Sequence, residues 1–95
     1  EHPLVDEILY RQAKLKMEMG DFQEAISLLQ NVVDKYGEDI LGDDALFLIG
    51  TIYEDQLNEK EKAKEIYKSF LTKYPGSNKA AEARKRFRTL RGDFL

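Results

Sequence analysis

The stretch Gly20-Asp21-Phe22-Gln23-Glu24-Ala25 returns 38 residues later as Asn58-Glu59-Lys60-Glu61-Lys62-Ala63, and each copy runs on, 11 residues past its alanine, into Tyr36-Gly37 or Tyr74-Pro75. A chain that repeats at such a period is built from units that cannot bury an apolar face alone and must stack to make a continuous core. In the first copy Phe22, Ala25, Ile26, Leu29, Val32, Val33 and Tyr36 fall on one wide stripe of a 3.6-residue helix. In the second, Ala63, Ile66, Tyr67, Phe70, Leu71 and Tyr74 repeat that stripe, with Lys62, Lys64, Glu65, Lys68 and Lys73 on the solvated side.

Upstream of each lies a partner helix, about Pro3 to Met19 and about Asp43 to Gln56. Gly20, and Asn58 in its place, suit the left-handed turn that joins the members of each pair. Asp21, with Glu24 three residues on, reads as a capping box for the second helix. A fifth helix is expected from Asn78 to Arg91, capped by Ser77 and stopped by Gly92, with Ala80, Ala83, Phe87 and Leu90 turned toward the second pair. Ala45 to Ile49, with Ile52 and Tyr53, is apolar nearly all round and predicts the most buried helix. Gly50 and Ala63, like Ala13 and Ala25, are small enough for paired helices to approach closely, so Gly50 is expected to face Ala63.

With those residues in place the chain resembles the tetratricopeptide repeat family. In the second copy Leu46, Ile49, Gly50 and Tyr53 match the signature of its first helix, and Ala63, Tyr67 and Pro75 match that of its second. The first copy is poorer, with Gln12, Ala13, Lys16 and Gly37 at signature positions, although Ala25 and Leu29 hold. The resemblance implies an all-α, right-handed solenoid of two helix pairs, repeat one at about 3–37 and repeat two at about 43–75, closed by a capping helix at about 78–91. The family period is about 34. Of the four extra residues here, one falls between Gly50 and Ala63, near the end of the third helix, and three fall in the loop Gly37 to Gly42, where a local departure in superhelical geometry is expected. The runs Tyr74-Pro75-Gly76-Ser77 and Ala80-Ala81-Glu82-Ala83-Arg84 are similar to a bacterial branch of the family. That branch includes cell-envelope proteins, which implies an envelope or periplasmic setting.

Composition narrows the chemistry. The 95 residues, 42% hydrophobic and 35% charged, have length for one core. The absence of cysteine excludes disulfides, thiolate metal sites and cysteine nucleophiles. The longest apolar run, Ala45 to Ile49, is too short to cross a bilayer. The opening Glu1-His2-Pro3, without a methionine, reads as the start of a fragment of a longer protein. His2 is the sole histidine, and Ser27, Ser69 and Ser77 have no base paired with them by any motif. No enzyme, catalytic residue, cofactor or metal is therefore expected. Glu38, Asp39, Asp43 and Asp44 crowd one loop without calcium-loop spacing and read as helix-capping acids.

The net charge of −3 conceals an asymmetry, −10 over residues 1–61 and +7 over residues 62–95. On the fifth helix Arg84, Arg88 and Arg91 form a row beside Lys85 and Arg86, an alternative surface for an anionic partner. No spare aromatic flanks the row to stack bases, so nucleic acid is not expected. Arg91-Gly92-Asp93 spells an adhesion tripeptide but reads as a helix stop.

The resemblance implies that the first helix of each pair lines an inner, concave face. It puts Tyr10, Lys14 and Met17 there from the first copy, and Phe47, Thr51 and Glu54 from the second. The function it implies is a non-enzymatic scaffold module that binds a protein or peptide. The carboxylate clamp of chaperone-tail-binding members is missing, since Tyr10, Lys14, Asp44 and Leu48 stand at those places. The rival expectation is structural: a segment of a longer solenoid, or an oligomerisation element, whose oppositely charged ends stack head to tail. Only the C-terminal end is expected to be capped.

Overall fold

A computed structural model describes residues 5–38 and 40–92. They form helices α1 (Val5–Glu18), α2 (Phe22–Tyr36), α3 (Gly42–Thr51), α4 (Lys60–Lys73) and α5 (Ala80–Arg91), with a π-helical segment (Ile52–Gln56) continuing α3. Each helix packs chiefly on its neighbours in sequence. The result is an elongated body of 45 × 30 × 16 Å. Helix pairs stacked in order, with no strand among the described residues, make the all-α repeat array that the 38-residue recurrence predicts.

The stripes become the core. Ala25, Leu29 and Val32 of α2, Ala45, Ile49 and Ile52 of α3 and its extension, and Ala63, Tyr67 and Phe70 of α4 are all within 1% of full burial. Gly20 (φ 79°) and Asn58 (φ 53°) both take the left-handed conformation that turns each pair. Asparagine does at the second turn what glycine does at the first.

The two insertions are absorbed differently. The extra residue after Gly50 is taken up by widening the helix: the Leu57 N–H donates to the Ile52 carbonyl at 3.0 Å, five residues back, and Glu59 N–H reaches Tyr53 O at 2.8 Å. One residue added to a helix without breaking it is what a π segment accommodates. The longer insertion is looped out. A Cβ on Gly42 would collide with the Gly37 carbonyl oxygen, so the two glycines bring the ends of the loop together, and Ile40 is left 88% exposed at its tip. Tyr74 reinforces this closure by donating its hydroxyl to Gly37 O at 2.7 Å.

Three expectations are corrected. Asp21 occupies the N-cap of α2, but its side chain makes no capping hydrogen bond. Ser77 does not cap α5, which begins at Ala80 behind Lys79; its hydroxyl accepts the Lys79 N–H and donates to Asp43 instead. Gly50 is met most closely by the Tyr67 ring, one turn beyond Ala63. A Cβ at Gly50 would sit 2.7 Å from that ring, so the small residue makes room for an aromatic rather than for a second small residue.

Candidate functional site: the inner face and its closure by α5

Two kinds of residue occupy the positions expected to line the inner face. On α1, the Lys14 ammonium lies 5.8 Å from the Tyr10 ring centroid, with Lys14 exposed and Tyr10 half-buried. Burial raises the Tyr10 phenol above its ordinary pKa, as do the nearby charges of Asp44 and Asp43, so Tyr10 stays a neutral donor. Met17, one turn on, is half-buried and packs against the core. These three side chains present a cation, an aromatic face and a soft apolar group along one helix edge.

On α3 the matching residues are engaged inside the molecule. Phe47 packs its ring against Tyr67 (5.7 Å between centroids) and Phe70 (5.8 Å). Lys79 and Arg86 approach the same ring to 6.0 and 5.9 Å. Thr51 donates its hydroxyl to Leu48 O at 2.9 Å. Glu54 Oε1 accepts both the Tyr67 hydroxyl at 2.8 Å and an Arg86 N–H at 2.9 Å. Arg86 also donates to Glu82 at 3.0 Å and lies 3.6 Å from Asp55. Burial works against the charge on Arg86, but the hydrogen bonds to Glu54 and Glu82 outweigh it and hold the guanidinium protonated.

The same pattern recurs at the start of α3. Asp43 accepts the Asp44 N–H at 2.9 Å and the Ser77 hydroxyl at 2.6 Å, and Lys79 pairs with Asp44 at 3.2 Å. Asp6, 7% exposed, takes the Glu7 N–H at 2.9 Å in the same way at the start of α1. The loop acids thus hold backbone and neighbouring side chains. The opposed charges of the two halves meet within one molecule, through the tertiary pairs of Arg86 with Glu54 and Asp55 and of Lys79 with Asp44, and locally through Lys62 with Glu59 and Lys64 with Glu61.

Sequence reasoning missed Tyr67 as the centre of this network. Its stripe position marks it only as core, and its polar partners lie 13 and 19 residues away. Arg86 was read as part of the basic row, although its pairing with Glu82 at i, i+4 carries a faint signal of engagement. The rest of that row, Arg84, Lys85 and Arg88, is exposed, and the Arg91 guanidinium lies 5.0 Å from the Phe87 ring centroid. Gly92 (φ 98°) ends α5 with its N–H on the carbonyls of Arg88 and Thr89, so the tripeptide's glycine is a helix stop. Asp93 and Asp39, like His2 and Pro3, lie outside the described residues.

The chain, whose helix pairs turn through left-handed Gly20 and Asn58, matches the tetratricopeptide repeat model at residues 7–39 and 44–77. The chain belongs to the tetratricopeptide repeat family. No curated protein and no solved structure matches it. Repeats of this family generally mediate protein–protein interaction or scaffolding, and no helix among the described residues is long and apolar enough to cross a membrane.

The buried Tyr67 phenol has a measurable pH signature. Burial, then the hydrogen bond to Glu54, raises the Tyr67 phenol well above the ordinary 10.0. Because folding raises this pKa, the stability it contributes is complete below pH 10.0 and is lost as the pH climbs toward the folded-state value. Thermal stability should therefore fall on the alkaline side of pH 10.0, and Tyr67→Phe should make that fall shallower. An identical alkaline profile in the two proteins would show that the Tyr67 proton is not held by folding.

Proposed function

We propose that this tetratricopeptide repeat chain is a non-enzymatic module that holds a polypeptide segment along the inner face of its first helices. The observation that carries this reading is the Tyr10–Lys14 pair, an exposed ammonium over a half-buried aromatic ring at the positions where the family presents ligand contacts. Tyrosine gives contact area at small entropic cost, and Lys14 gives direction to an acidic or carbonyl-rich stretch. Phe47 and Glu54 take a supporting part, since their internal contacts set the position of α3 that the ligand meets. Met17 and Thr51 complete the lining.

The test is selection of binders from a displayed peptide library on the wild-type chain, followed by titration against variants. Tyr10→Ala with Lys14→Ala should lower affinity about tenfold or more, as loss of an aromatic contact usually does, while the circular dichroism spectrum is unchanged. Arg84→Gln with Arg88→Gln should leave the same peptides bound. If the basic variant loses them and the α1 variant keeps them, the working surface is the outer face of α5. A structural role rests on a different surface, the uncovered face of α1.

A further inference from the structure

Three of the large hydrophobic side chains left exposed, Ile8 (52%), Leu15 (56%) and Met19 (64%), stand on one side of α1 and its last turn. With Val5 and Gln12 they form a seam, Val5, Ile8, Gln12, Leu15 and Met19, at alternating spacings of three and four. That is the narrow two-helix spacing of a coiled-coil contact rather than the wide stripe of α2. At the corresponding places 37 residues on, α3 carries Ala45 and Ile49, and the π segment Ile52, all within 1% of full burial in the core. The array therefore covers this face on its second repeat and leaves it open on its first.

The open face is not a copy of the covered one. Ile8 stands where α3 has Ala45, too bulky for the close approach that junction uses. Gln12 stands where α3 has Ile49, so a helix of the α2 type laid over it would strand a polar amide. A partner with its own amide at that point removes the penalty. The flanking charges choose an orientation: Arg11 and Glu18 border the seam on one side, with Lys16 on the other. Parallel pairing sets Arg11 against Lys16. Antiparallel pairing sets each Arg11 beside the opposite Glu18.

We propose that the chain pairs with a second copy of itself through this face, two α1 helices packing antiparallel about a two-fold axis between Gln12 and Leu15. Ile8 then packs on Met19 of the second copy, and the two Gln12 residues flank the two-fold, offset by about 4.5 Å along the helix direction, each amide serving the other. Arg11, 77% exposed and only loosely paired with Glu7 at 3.6 Å, swings to Glu18 of the second copy. The seam is short, so the interface falls below the about 800 Å² per partner of a standard complex and the dimer is weak.

Sedimentation equilibrium of the 95-residue chain over a wide concentration range tests this. A monomer–dimer equilibrium is expected for the wild type and only monomer for Leu15→Glu, a substitution at an exposed position that leaves helicity intact. Arg11→Glu alone and Glu18→Arg alone should each weaken the dimer at least tenfold, and the two together should restore it. That restoration distinguishes antiparallel pairing from simple loss of charge. A monomer at every concentration overturns the proposal and leaves the face to a helix of another protein. So does a dimer that survives Leu15→Glu, or a double charge exchange that fails to restore association.

Discussion

Tyr67→Ala is expected to cost about 3–5 kcal/mol, the usual range for removing a buried aromatic. Its ring is fully buried, fills the space that Gly50 leaves, packs on Phe47, and carries the hydroxyl that Glu54 accepts. Gly50→Leu should cost about 1–3 kcal/mol by driving a side chain into that ring. The combination is where the contact shows itself. In the double variant the leucine enters the cavity left by the lost ring, so the two losses should fall short of their sum by about 1 kcal/mol or more. Chemical denaturation of the four proteins measures this. Strictly additive losses would mean that Gly50 and Tyr67 do not share the crossing.

Arg86→Met should cost about 2 kcal/mol, because it removes charged hydrogen bonds to Glu54 and Glu82 while the methionine keeps most of the packing volume. The side chains of Arg86 and Glu54 are 28% and 17% exposed, enough burial to lift this pair above a surface ion pair and too little to reach the cost of breaking a fully buried one. The effect should be concentrated in α5. Hydrogen exchange of its amides, from Ala83 to Leu90, should accelerate more than that of α2. Equal acceleration throughout the chain would show that Arg86 supports general stability and does not anchor the closing helix. Release of α5 would also withdraw Arg86 from the Phe47 ring.

Much of the architecture was legible because it depends on local spacing. The recurrence at 38 residues, the apolar stripes of α2 and α4 and the turn residues Gly20 and Asn58 each act over a few positions of chain. Both insertions could be located by counting from Gly37, Gly50 and Ala63. How each would be absorbed could not be counted. Widening a helix into a π segment and looping out a bulge both satisfy the same spacing, and the choice depends on what lies across the gap. Around Leu57 the helix can open by one residue and still reach Ile52. Around Ile40 the ends Gly37 and Gly42 are close enough to be tied by Tyr74, a residue of the following repeat.

The caps show the opposite failure. Asp21 and Ser77 carry the right side chains at the right offsets, yet Asp21 bonds no helix N–H. Ser77 is drawn to Asp43, 34 residues away, because that carboxylate sits at the junction of α3 with the chain entering α5. A capping motif predicts what a side chain can reach locally, whereas the Ser77 hydroxyl accepts the Lys79 N–H ahead of the helix while its proton goes to a tertiary carboxylate.

By itself the sequence determined the repeat, the helix pairs and the family, because periodicity and turn chemistry are properties of neighbours along the chain, while the positions expected on an inner face followed only from the family resemblance. Tertiary structure alone decided which of those positions the fold uses for itself. Glu54 is committed because Arg86 and Tyr67, from two other helices, converge on one carboxylate oxygen, and Phe47 because two rings and two cations close around it. Lys14 and Tyr10 stay at the surface, and the seam of α1 stays open, because the fifth helix that covers the second repeat has no counterpart packed on α1 among the described residues.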